Sequence, residues 1–162
     1  LHKLRNLIWV WNGQAPFMAV DPNTFDIAGE DIYDEIPSHG SQLERFRGVS
    51  SYTHGKMITL SECGSIPEPD EMLRDGATWL WWLPWWGSFV YDTDDKWHAV
   101  LDDNGMPRPN PKYMDEAFMK RIFSDPRVVT LEDLPWYDKQ KKPLPYALHQ
   151  RLRKKYGKET GT

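Results

Sequence analysis

The chain has 162 residues, the length of one ordinary domain and enough to bury a core. Its formal charge of −4 argues against a basic nucleic-acid face, and no apolar run reaches the roughly 18 residues of a membrane span. The single cysteine, Cys63, rules out an internal disulfide and a cysteine-based zinc site. Nine tryptophans leave two readings open: a heavy aromatic core, or a cleft in which indole stacks on the apolar faces of sugar rings.

Taken in chain order, four short apolar stretches have strand composition, at 6–11, 26–29, 56–60 and 78–83. None alternates with polar residues, which suits strands covered on both faces, as in a parallel sheet under helices. Between the second and third, Leu43, Phe46 and Val49 recur at helical spacing over 41–51. Between the third and fourth, Asp70 sits in the first turn of a short helix. A polar loop over 92–110 follows, with turn signals at Asp103-Asn104-Gly105 and Pro107; Asp92, Asp94 and Asp95 read as solvated. A helix is expected over 111–124, capped by Asn110, with Met114, Ala117, Phe118 and Ile122 on one face. This order predicts an α/β fold of parallel β/α units, either a small open sheet or half of a barrel. The last part, 136–162, is a basic linker and tail in which Leu148, Leu152 and Tyr156 form a narrow helical stripe. The start, Leu-His-Lys-Leu-Arg without an initiator Met, reads as the middle of a longer polypeptide.

The sharpest chemical feature is Glu62. It closes the third apolar stretch and is followed by Cys63-Gly64-Ser65. A carboxylate at the carboxyl end of a buried strand is rigid and aimed at the loop face, as glycosidic bond cleavage requires; a structural ion pair or helix cap is the other reading. Asp31 and Tyr33, two residues apart after the second stretch, project to one side if extended, and a phenol beside a carboxylate can hold it ionised. The acidic group Glu30, Asp31, Asp34 and Glu35 lacks the Gly and terminal Glu of a calcium loop, so no metal or cofactor is expected. Trp79, Trp81 and Trp82 suit the core. Trp85 and Trp86, past Pro84, suit sugar stacking, and Trp11 and Asn12 end the first strand where a cleft would begin.

Four motifs in order carry a family resemblance: Asn6-Leu7-Ile8-Trp9-Val10-Trp11-Asn12, then 26–34 (DIAGEDIYD), 57–67 (MITLSECGSIP) and 79–87 (WLWWLPWWG). Together they resemble the last four strands of glycoside hydrolase family 26, chiefly endo-β-1,4-mannanases on a (β/α)8 barrel, and 123–135 resembles that family's ending. The resemblance implies that residues 1–135 are the C-terminal half, about strands 5–8, of a catalytic barrel. It implies Glu62 as nucleophile of a retaining mechanism, Tyr33 as its hydrogen-bond donor, Asp31 as a residue of the same subsite, and Trp85 as the platform under the sugar. Trp86 falls where some members carry Arg, which leaves its contact open. The family's general acid/base follows a His in a His-Glu pair that does not occur here, so the resemblance implies that this stretch alone is inactive. It also implies that it requires the N-terminal half of the barrel, whose absence would expose two strand edges. The implied substrate is β-mannan or a related polysaccharide, and the implied location is outside the cell, secreted or at the surface or periplasm. A related β-glycanase acting on xylan or mixed-linkage glucan, and a non-catalytic carbohydrate-binding protein, are the alternatives.

Overall fold

All four apolar stretches become neighbours in one parallel sheet. The computed structural model describes residues 6–134, so the basic tail expected over 136–162 lies outside the described residues. The strands are β1 (Val10–Trp11), β2 (Ile27–Ile32), β3 (Met57–Cys63) and β4 (Trp82–Pro84), paired in the order β1-β2-β3-β4. Helix α1 (Leu43–Tyr52) connects β2 to β3, and α2 (Pro69–Asp75) connects β3 to β4. Strands laid down in sequence order, with no reversal, are the order of a β/α barrel wall; doubly wound sheets reverse at a switch point.

One face of the sheet is closed by the helices. Ala28 and Ile32 of β2 and Ile58, Leu60 and Cys63 of β3 pack with Val49 of α1, Phe25 and Trp79, and Leu60 has no exposed surface at all. Phe46 of α1 meets Trp79 edge-to-face at 5.0 Å, and the Trp79 indole N–H donates to the Ser41 carbonyl at 2.8 Å. The expected face of α1 is thus the observed one. Helix α2 starts at Pro69, carries Asp70 and Glu71 in its first turn, and stops at Gly76, whose left-handed backbone (φ 71°) returns its N–H to Leu73 and Met72.

Several element boundaries differ from the sequence expectation, β4 among them (Trp82–Pro84 against 78–83). β1 is short because the Asp26 carboxylate takes the Trp9 N–H (2.8 Å), while the Trp9 carbonyl accepts from both Asp26 and Ile27. β2 and β3 run further than expected, to Ile32 and Cys63, so Asp31 and Glu62 lie within strands and not beyond them. Helix α3 spans Glu116–Phe123 and is capped by Asp115, whose carboxylate accepts from the Phe118 N–H. Asn110 caps a preceding turn instead, accepting from Lys112 through its side chain and from Met114 through its carbonyl.

The chain divides into two compact units, Leu1–Trp85 and Trp86–Thr162. The first holds the sheet. In the second, the expected polar loop is built from one turn used twice. Asp94 donates its N–H to the His98 carbonyl and accepts Trp97 N–H at its own; Asp102 does the same with Met106 and Gly105. The Asp94 carboxylate accepts from Lys96 and His98 N–H, that of Asp102 from Asn104 and Met106 N–H. Isolated antiparallel bridges flank each copy, Thr93 with Ala99 and Leu101 with Pro107. The two copies differ at the position that turns left-handed: Gly105 (φ 75°) in one, Trp97 (φ 64°) in the other. Left-handed backbone is free for glycine and costs other residues about 1–2 kcal/mol.

Candidate active site

The carboxyl ends of β1, β2, β3 and β4 bring Asn12, Tyr33, Glu62 and Trp85 to the same end of the sheet. Strict alternation would not have put Glu62 with the others. Ile58 and Leu60 face the helices, so position 62 should face them too. The pairing of β2 with β3 prevents this. Glu30 pairs with Leu60, but the next residue, Asp31, pairs with Glu62, leaving Ser61 as an extra residue in β3. This bulge shifts the phase by one and turns Glu62 to the face that carries Asp31 and Asn12. Cys63 then returns to the helix-covered side opposite Ile32.

The bulge needs room, and Gly29 supplies it. A Cβ on Gly29 would lie 1.9 Å from Ser61 Oγ and 2.7 Å from Asn12 Oδ1. The Ser61 hydroxyl is buried there with no hydrogen-bond partner.

Tyr33 Oη donates to Glu62 Oε2 in a short hydrogen bond. Burial, this hydrogen bond and the nearby negative charge push the phenol well above its ordinary range, so its proton stays on oxygen and is available to the carboxylate. The Asn12 amide donates to both oxygens of Asp31 at 3.1 and 3.3 Å. A residue that periodicity and motif reading passed over, Gln14, sets the polarity of this contact. Its carbonyl accepts the Asp31 backbone N–H (2.9 Å), so its amide must donate to Asn12 Oδ1 (2.7 Å), which leaves the Asn12 amide facing the carboxylate. Gln14 does so from a left-handed backbone (φ 63°); an Asn-Gly-Gln turn gives no warning of it in sequence.

Trp85 donates its backbone N–H to the Cys63 carbonyl (2.9 Å) and is 38% exposed beside the strand end. Trp11 does not join this group. Trp11 pairs with Ala28 and so shares its helix-covered side, packing on Phe25 at 5.4 Å and edge-on to Tyr52 at 5.9 Å. Its reading as a cleft residue is corrected to a packing role; only Asn12, one residue on, faces Asp31. Trp86 opens the second unit, before the short turn Gly87–Phe89. The adjacent thiol lies in the core, where burial pushes Cys63 up to about 12.

These features sit in a chain with relatives of known name. No family model matches it. It is 31% identical, over 144 residues, to mannan endo-1,4-β-mannosidase B of Piromyces sp, an alignment covering 85% of this chain and 20% of that protein. Among solved structures, the Podospora anserina family 26 β-(1,4)-mannanase matches with a TM-score of 0.63 at 26% identity, over 84% of this chain and 26% of that one. The β-mannanase of a protist symbiont of the termite Reticulitermes speratus, solved with a gluco-manno-oligosaccharide, matches with a TM-score of 0.60 at 29% identity, over 80% of this chain and 36% of that one. Over most of its length the chain is thus similar to mannanases, among them structures of family 26. It spans about a fifth to a quarter of the length of the curated relatives it matches. The family 26 matches agree with the parallel order of its four strands, which corresponds to part of an α/β barrel.

Proposed function

We propose that the chain is the C-terminal half, about strands 5–8, of the (β/α)8 catalytic domain of a retaining endo-β-1,4-mannanase, with Glu62 as the nucleophile. The observation that carries this reading is the Tyr33–Glu62 hydrogen bond between adjacent strand ends, reached only because the Ser61 bulge re-aims Glu62. A retaining glycosidase needs one ionised carboxylate against the anomeric carbon and a second carboxyl about 5–5.5 Å away, which protonates the leaving oxygen and then activates water. Glu62 takes the first role. It attacks the anomeric carbon as the glycosidic bond breaks, forming a glycosyl ester that water later cleaves. Tyr33, holding its proton, donates to Glu62 and fixes the orientation of the attacking oxygen. Asp31, aligned by Asn12 and Gln14, presents acceptors to sugar hydroxyls, and Trp85 offers an indole face to a pyranose ring.

The second carboxyl belongs to the N-terminal half in this reading, so the half barrel by itself is inactive and the intact enzyme hydrolyses mannan. A polysaccharide too large to enter a cell supports a working enzyme outside it; among the described residues no helix is long and apolar enough to cross a membrane. The test is covalent trapping of the intact enzyme with a fluorinated mannosyl inactivator, followed by peptide mapping. The expected label is on Glu62. A label on another carboxylate, or turnover that survives Glu62→Gln within about tenfold, sinks the assignment, since removing a covalent nucleophile costs on the order of 10⁴-fold or more.

A further inference from the structure

The second unit contains its own control experiment. The turn at Asp94–His98 and the turn at Asp102–Met106 share the same backbone bonds, the same double use of an aspartate side chain and the same flanking bridges. One copy places glycine at the left-handed position, the residue that position favours. Its counterpart places there the largest side chain available, at φ 64° and 75% exposed. Burial among the described residues therefore does not explain Trp97, and the turn does not need it, because its twin forms with Gly105. A strained residue held by an otherwise complete hydrogen-bond frame points to use of the side chain itself.

We propose that Trp97 is a saccharide-stacking platform on the second unit, a binding position for β-mannan separate in sequence from the strand-end cluster around Glu62. The ligand class rests on the mannanase reading given above. A rigid turn suits the task, since the indole is presented without a loop having to be ordered on binding. Its surroundings suit a sugar edge: Asp94, Asp95, Lys96 and His98 are all exposed, with His98 Nδ1 held 3.3 Å from Asp94 Oδ2. An apolar ring face bordered by polar side chains matches the mannopyranose face opposite the axial 2-hydroxyl, where the axial hydrogens of C1, C3 and C5 lie and the equatorial hydroxyls form the rim.

The experiment compares wild type, Trp97→Gly and Trp97→Phe of the intact protein in native gels with and without soluble glucomannan, alongside thermal melts. Trp97→Gly should melt at the same temperature or higher, because glycine relieves the backbone, while its retardation by the polysaccharide weakens roughly five-fold. Trp97→Phe should keep part of the retardation. Unchanged retardation in Trp97→Gly, no retardation of wild type, or a lowered melting temperature in Trp97→Gly would each overturn the proposal. So would a loss of self-association in place of a loss of sugar binding. Inactivator labelling of Glu62 separates this from the catalytic reading. Label retained with unchanged retardation sinks the platform alone; retardation that depends on Trp97 without label on Glu62 sinks the nucleophile alone.

Discussion

The two faces of the β2–β3 pair are built from alternating residues of the same two strands and do opposite work. On the helix-covered face, Ala28, Ile32, Ile58, Leu60 and Cys63 interlock with α1, and the one charged group, Glu30, is held against Arg45 at 3.0 Å with its second oxygen unpartnered. On the other face, Asn12, Asp31, Tyr33 and Glu62 form hydrogen bonds across three strands around a glycine. Two potential nucleophiles adjacent in sequence are thereby separated, Cys63 into the core and Glu62 onto the polar face. The difference teaches that the site depends on one inserted residue as much as on the residues that would do the chemistry.

The strongest way to break this comparison is to insert one alanine between Glu30 and Asp31. With a residue opposite Ser61 the strands pair in simple register, and Asp31 and Glu62 both fall in phase with Leu60, on the helix side. The expected result in the intact enzyme is a loss of mannan hydrolysis as large as that of Glu62→Gln, on the order of 10⁴-fold. Ser61→Ala keeps the residue count and removes only an unsatisfied buried hydroxyl, so its stability should stay within about 1 kcal/mol of wild type. An active insertion variant would refute the role of the bulge.

Tyr33→Phe tests the polar face directly. A hydrogen bond to an ionised group contributes about 1.5–3 kcal/mol, so hydrolysis should fall roughly 10- to 100-fold. The melting temperature should barely move, because Tyr33 is 41% exposed. A matching loss of stability would point to a structural role only.

Gly29→Ala tests the space between the strands. Its Cβ would clash with Ser61 Oγ, and overpacking of this kind costs about 1–3 kcal/mol, read as a lower denaturant midpoint. Combining it with Ser61→Gly should recover much of that loss, and simple additivity of the two changes would count against the contact.

The smallest effect is expected on the covered face. Burial raises the Glu30 carboxyl above its ordinary 4.5, opposed by Arg45 and assisted by Asp31. Its contribution to stability is therefore fully present below pH 4.5 and is lost as pH rises through its folded value. The stability of wild type relative to Glu30→Gln should accordingly be more favourable below pH 4.5 than at neutrality, as measured by urea midpoints. The opposite slope would mean that the Arg45 ion pair outweighs burial.

Much of this arrangement was legible in the chain. The apolar stretches, the helical spacing of Leu43, Phe46 and Val49, and the punctuation at Pro69, Gly76 and Pro84 are local signals, because backbone propensity and side-chain periodicity act over a few neighbours. They suffice for parallel β/α units with Glu62 and Tyr33 near strand ends. The side that Trp11 takes depends on pairing with Ala28, which belongs to another strand, so no local signal carries it. Gln14 and the repeated turn around Asp94 and Asp102 stayed hidden because a left-handed φ at Gln14 or Trp97 leaves no compositional mark.

The sequence by itself therefore determined which segments would be strands and helices, and which residue types would gather at their carboxyl ends. Only the tertiary structure decided which way Glu62 points. Register is a property of two strands together: a bulge at Ser61 exists only relative to Glu30 and Asp31 across the ladder, and it reverses the face of every residue that follows.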